Sequence, residues 1–173
     1  ISFVVIFHFF GVSLTTLLFF ILSISFVIIF FIDFKHFIIP NELTYPLMII
    51  GILKSFDPNL NTTLFPNLVN SLVGGFFGYA IIWLIIFTYK KIRNKEGMGL
   101  GDAKLLSAIG FWFGWMSIPF IIFFSSIAAL ISVIPDLITN KKKLSSQIPF
   151  GPFIIIGTLI FLFSNDYIKI FLN

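Results

Sequence analysis

Long apolar runs, separated by short polar stretches, organise this chain. The first run covers about residues 12–32, VSLTTLLFFILSISFVIIFFI. The second, about 39–55, opens at Pro40, which suits a helix start, and contains Pro46, a kink position. The third, about 67–89, carries Gly74, Gly75 and Gly78 on or near one face, where small residues let helices approach closely in lipid. The fourth, fifth and sixth runs cover about 102–116, 118–138 and 150–165. A helix that crosses a bilayer needs roughly 20 mostly apolar residues. The pattern therefore predicts an all-α fold, a polytopic membrane helix bundle of about six transmembrane helices. Residues 1–11 begin with Ile inside an apolar run, as expected for the end of an upstream segment that is missing, and residues 12–173 are expected to form one membrane domain. The start lacks the basic region and small-residue cleavage site of a signal peptide. No tandem repeat is visible.

Composition strengthens the membrane reading. The chain has 173 residues, of which 58% are hydrophobic and 10% charged, and 26 are Phe. A soluble globule carries about a quarter charged residues, so a water-soluble domain of this size is excluded. There is no cysteine, which removes a disulfide framework and a thiolate metal site. The net charge of +4 comes from basic residues gathered in alternate connections: Lys35 and His36; Lys90, Lys91, Arg93 and Lys95; Lys141, Lys142 and Lys143. Cytoplasmic loops collect Lys and Arg, so these three connections are expected to face the cytoplasm. The charge sets topology; no nucleic-acid partner is expected. Of the other connections, the Asn/Thr-rich stretch 57–67 reads as an external loop, with Lys54 beside it. Trp83, Trp112 and Trp115, near span ends, fit interfacial anchors.

An ionisable group in a membrane span is costly and marks a functional-site hypothesis. Asp57 and Asp166 fall in external loops. Asp136 reads as an ion pair with the neighbouring NKKK, Glu96 as a loop charge, and Glu42 as a capping aid for the second helix. Asp33 and Asp102 differ, because both stand where an apolar helix meets the cytoplasmic side. Their structural readings are an interfacial charge and a helix N-cap, respectively. Gly97, Gly99 and Gly101 remove bulk and free the backbone ahead of Asp102, permitting another chain to approach it. The stretch is not a phosphate loop, since G-x-G-x-x-G is unmatched and no Gly-Lys-Ser/Thr follows. Two carboxylates that share a site hold one proton between them, so one can activate water while the other donates to a carbonyl. Such a pair needs no metal, and neither metal nor cofactor is expected.

Three stretches, IDFKHFIIPNELTYPL, KEGMGLGDAKLLSAIGFWFGW and IPFGPFIIIGTL, resemble the type IV prepilin peptidases, the prepilin leader peptidases of the GxGD aspartyl class. The likeness covers about residues 12–165. Gly-x-Gly-Asp followed by Ala-Lys-Leu-Leu is its most specific element. The resemblance implies that Asp33 and Asp102 are the catalytic aspartates. Gly99 and Gly101 match the motif glycines, Pro40 and Asn41 the segment after the first aspartate, and Gly151 and Pro152 a late Phe-Gly-Pro. It also implies that the basic leader is cut from type IV prepilins or pseudopilins at the cytoplasmic face of a bacterial inner membrane. The cut usually follows a glycine that precedes the substrate's hydrophobic helix. Bifunctional members add an upstream segment with zinc-binding cysteine pairs, linked to N-methylation. This chain has neither, so methyl transfer is not expected of it, whether the upstream part is missing or the chain is a peptidase-only member.

An alternative from another class is a small proton- or ion-coupled transporter using interfacial carboxylates. It calls for acids near mid-membrane or broken helices in related halves, and neither is apparent. A presenilin-like protease shares Gly-x-Gly-Asp, but its Tyr-Asp and Pro-Ala-Leu partner motifs are absent. His36, three residues after Asp33, is on a face from which it could tune that acid. Lys104 either helps hold the motif's charge or snorkels to the interface.

Overall fold

A computed structural model describes residues 13–60, 65–93, 99–138 and 148–172 of the chain. Gly97, Glu96 and the NKKKLSSQ stretch lie outside the described residues, as do the side chains of Asp136 and Asp166. Among the described residues there are six α-helices and no strand: α1 (Leu14–His36), α2 (Asn41–Lys54), α3 (Leu68–Arg93), α4 (Leu100–Phe113), α5 (Ser117–Ile138) and α6 (Gly151–Leu172). A single 3-10 turn, Pro58–Leu60, follows α2. The helices correspond one to one with the six apolar runs, with ends that differ by a few residues.

The centre of the bundle is α4. Eleven of its fourteen residues are buried, from Asp102 to Phe113. A helix that is apolar all round is driven inside, and beyond its first turn α4 carries only Lys104 and Ser107 as polar side chains. At 14 residues it is about 21 Å long, short of a hydrocarbon core of about 30 Å. The same holds for α2, also 14 residues. By length and composition, three helices reach across a membrane: Leu14–His36, Leu68–Ile92 and the stretch Ser117–Ile134 of α5. The six expected spans are thus six helices, of which the short α4 is enclosed by its neighbours and α2 packs mainly against it.

Glycine makes the tightest seam, between α3 and α4. The backbones of Gly74 and Gly110 meet face to face, the ring of Phe111 lies on Gly75, and a Cβ at Gly78 would come within 2.8 Å of the Leu106 carbonyl. With side chains removed, hydroxyls reach across: Ser71 Oγ donates to the Phe111 carbonyl at 2.6 Å, and Ser107 Oγ to the Gly75 carbonyl at 2.9 Å. Small residues and such interhelical bonds replace the hydrophobic drive that lipid cannot supply. Gly114, at φ 81, ends α4 in a conformation that a side chain resists.

Two sequence expectations need correction here. Trp112 is fully buried and donates its indole N–H to the Leu47 carbonyl at 2.8 Å, so it ties α4 to α2 and is not an interfacial anchor. Trp83 and Trp115 remain exposed. Lys54 is not a loop charge but is buried at the end of α2. Its ammonium lies 4.3 Å from the Phe65 ring centre and 5.8 Å from that of Trp112, with no hydrogen-bond partner among the described residues. Aromatic faces attract a cation that has lost its water.

Candidate active site

The first acid is positioned by α1. The apolar run was expected to stop before Asp33, but nothing in Phe30–His36 breaks a helix, and α1 continues for one more turn. Leu22, Phe26 and Ile29 form a buried stripe at spacings of four and three, and Asp33 continues it at the next four. Asp33 is therefore on the core face, 4% exposed, while Phe34, Lys35 and His36 are exposed around it. His36 does not join the buried acid. The helix ends at Phe37, whose left-handed backbone (φ 58, ψ 33) returns its N–H to the Asp33 carbonyl at 2.9 Å. That turn sends Ile38–Pro40 back over the bundle.

The second acid comes from the start of α4. Gly99, rather than Asp102, is the N-cap. Asp102 is the third helical residue, 7% exposed, with its N–H on the Gly99 carbonyl at 3.2 Å. Its carboxylate interacts with the Gly99 backbone and, through its charge, with Asp33. The two acids, 69 residues apart in the chain, are thus one electrostatic unit.

The third contribution is Gly151, the first residue of α6. Its N–H donates to Asp33 Oδ2 at 2.9 Å, and an added Cβ would sit 2.6 Å from that oxygen. Pro152, which follows, is buried within the first turn, where a missing N–H costs nothing. Ile39 packs between the two glycine sites: a Cβ on Gly101 would stand 3.0 Å from Ile39 Cβ, and one on Gly151 would stand 3.0 Å from Ile39 Cδ1. So α1, the segment ahead of α2, α4 and α6 all converge here.

The glycines therefore act through space rather than through unusual backbone angles. Gly99 is extended (φ −88, ψ 152), and a Cβ there would make only ordinary contact with Gly101 N at 3.8 Å and Asp102 Oδ2 at 3.9 Å, whereas Gly101 is pressed against Ile39. Pro40 caps α2, and because it has no N–H, Glu42 cannot complete a capping box there; Glu42 remains in the first turn, where an acid suits the helix dipole. Asn41 does not touch the acids. Its Oδ1 accepts from Lys104 Nζ at 2.8 Å, and the same ammonium lies 5.4 Å from the Tyr45 ring centre. Lys104 thus joins α4 to α2, a role neither of its sequence readings contained. Sequence reasoning also missed Ile39 and the Gly151 amide; the Ile-Pro and Phe-Gly-Pro neighbourhoods were the available signals.

A family model described as the type IV leader peptidase family matches residues 20–134, a stretch holding Asp33 and Asp102 but ending before Gly151. The chain belongs to this family. Among its relatives is the prepilin leader peptidase/N-methyltransferase of Aeromonas hydrophila, 34% identical over 138 residues, which is 80% of this chain and 46% of that protein. The protein of the same name from Pseudomonas aeruginosa is 36% identical over 138 residues, 79% of this chain and 46% of its own. That of Dichelobacter nodosus is 33% identical over 159 residues, 87% and 52%. The chain spans about half the length of these type IV leader peptidase relatives. No solved structure matches it.

Proposed function

We propose that this chain carries the peptidase activity of a membrane aspartyl endopeptidase that cuts the basic leader from type IV prepilins or pseudopilins. The observation that carries the reading is a pair of buried carboxylates, Asp33 and Asp102, brought together from two helices. Family membership and the names of the relatives support it. Asp33 and Asp102 are the catalytic residues, sharing one proton, because two carboxylates that serve one site resist joint ionisation.

The ionised acid takes a proton from water as the water oxygen bonds to the carbonyl carbon. The protonated acid gives its proton to the carbonyl oxygen. A tetrahedral diol results, and the pair still holds one proton. On collapse the carbonyl reforms, the C–N bond breaks, and the amine leaves with a proton delivered by the pair. One amide and one water become one acid and one amine. Gly151 N–H orients Asp33, and Gly99, Gly101 and the Pro40–Asn41 turn leave room above Asp102 for an extended backbone.

The bundle sits in the inner membrane, with the acids at its cytoplasmic side, where Lys35, His36, Lys90 and Lys91 also gather. The test is to incubate membranes carrying the chain with a prepilin and sequence the product's N-terminus. A new N-terminus immediately ahead of the hydrophobic helix is expected. No cut, or a cut elsewhere, contradicts the proposal.

A further inference from the structure

The backbones of α1 and α4, which carry the two acids, are hardly in contact with each other. Instead α1 packs on α6, while α4 packs on α3, on α2 and, over a shorter stretch, on α6. The separation of Asp33 from Asp102 is therefore set by what stands between these helix ends. We infer that Ile39 is a positioning residue, a hydrocarbon spacer between Gly101 and Gly151 that holds the two acids at their working distance. The inference rests on the peptidase reading and adds to it a residue that serves both acids without reacting.

The side chain spans the supports of both acids. The three atoms nearest to a Cβ on Gly101, the residue before Asp102, all belong to Ile39, with Cβ at 3.0 Å and Cγ1 at 3.5 Å. At Gly151, whose amide holds Asp33 Oδ2, the nearest atoms to a Cβ are those of the Asp33 carboxylate and Ile39 Cδ1, the last at 3.0 Å. Ile39 is buried, while Ile38 before it is exposed. Branching at Cβ restricts its χ1, and the proline that follows restricts its backbone, so the spacer is stiff. Being apolar, it offers the carboxylates no hydrogen bond and does not compete with the Gly151 amide.

The backbone of Ile39 is pinned on both sides. Upstream, the Phe37 N–H is bonded to the carbonyl of Asp33 itself at 2.9 Å. Downstream, Pro40 stands at φ −65, and its carbonyl accepts from the Thr44 N–H at 3.2 Å. Asn41 then accepts from Lys104, two residues past Asp102, at 2.8 Å. The connection is thus tied at one end to the residue bearing the first acid and at the other to the helix bearing the second. Bulk alone would fill the space between the two glycines. The ties give that bulk a fixed place relative to each acid, and close packing passes a change of even one methylene on to its neighbours.

The test compares Ile39→Ala, Ile39→Val and Ile118→Ala with the parent chain in membranes, on one prepilin. Ile39→Ala keeps the Cβ against Gly101 and loses the reach to Gly151, whereas Ile39→Val loses only Cδ1. Ile118, buried where α5 follows the far end of α4, controls for the same truncation away from the acids. Ile39→Ala is expected to lower kcat by about 10²-fold, with KM within about twofold, because the spacer acts on the acids and not on bound substrate. Ile39→Val is expected to lose about tenfold, and Ile118→Ala to keep the parent's kcat. An equal loss in Ile118→Ala, or an undiminished kcat in Ile39→Ala, overturns the inference. Where Ile39→Ala does not insert, Ile39→Val decides, and the parent's kcat there overturns it. A second arm reads the geometry without cleavage. The chain has no cysteine, so spin labels can be placed on Phe34→Cys, next to Asp33, and Leu100→Cys, two residues before Asp102, both exposed positions. Electron-spin distance measurement is expected to give a narrow distribution in the parent and a broader or shifted one with Ile39→Ala. The same distribution in both overturns the inference. Failure of the peptidase reading is seen separately, as a parent chain that cuts no prepilin, and the distance arm then decides the spacer alone.

Discussion

Gly99 and Gly151 both stand against an acid, but with different room to spare. A Cβ on Gly151 would be 2.6 Å from Asp33 Oδ2, while one on Gly99 would meet nothing nearer than 3.8 Å. Gly151→Ala is accordingly expected to push the carboxylate aside and lower cleavage by about 10²-fold, the scale of an ångström's misplacement, while insertion is unchanged. Gly99→Ala would put its Cβ in ordinary contact with Asp102 Oδ2 at 3.9 Å, displacing nothing, and is expected to cost less, about tenfold, through the room it takes from the substrate backbone. Cleavage rates beside membrane yields check both, and equal losses would contradict the geometry. Away from the acids, a double-mutant cycle on Asn41→Ala and Lys104→Ala in thermal unfolding should give a coupling of about 1 kcal/mol, one hydrogen bond's worth. At this scale Asp33 was legible as the acid that ends an apolar run, but its place on the buried 22–26–29–33 face was not, because apolar residues occupy the other faces of that helix as well. The Gly151 contact was not, because it is a backbone bond between residues 118 apart. Of the two uses read for the motif glycines, removal of bulk and backbone freedom, the first is the one seen: Gly99 is extended and Gly101 leaves space for Ile39.

Helices in lipid have no hydrophobic force between them, so α3 and α4 adhere through backbone proximity and hydroxyl bonds. Replacing Gly110 by Val would drive a side chain into the Gly74 backbone. Overpacking of this kind costs about 1–3 kcal/mol or more, and a lowered midpoint of thermal unfolding in detergent would register it. An unchanged midpoint would mean that the seam is looser than described. The existence and type of all six helices followed from the apolar runs, because each is marked off by charge, Pro or, between the fourth and fifth, Gly114 and Ser117. Burial order did not follow. Hydrophobicity cannot distinguish a helix wrapped in lipid from one wrapped in protein, since both present apolar surfaces. That is why α4 read as another span and Trp112 as an anchor, when its indole N–H is satisfied inside by Leu47.

At the scale of the whole molecule, Asp33 and Asp102 stand at helix ends that adjoin basic stretches of the sequence, and the orientation proposed for the bundle follows from that charge. The chain contains no cysteine, so single cysteines can be introduced cleanly. Lys35→Cys should react with an impermeant maleimide only from the cytoplasmic side, and Asp57→Cys only from the opposite side; the reverse pattern would invert the account. The charge distribution that suggests this was present in the sequence, whereas the packing of Ile39 against Gly101 and Gly151 was not, because the three come from separate segments of the chain. The most direct measurement concerns the acids themselves. Asp33→Asn and Asp102→Asn are each expressed beside the parent chain with a prepilin, insertion is checked, and leader loss is followed on a gel. The account predicts that each variant inserts normally and loses cleavage by roughly 10³-fold or more. Cleavage at the parent's rate by either inserted variant would contradict the two-acid mechanism.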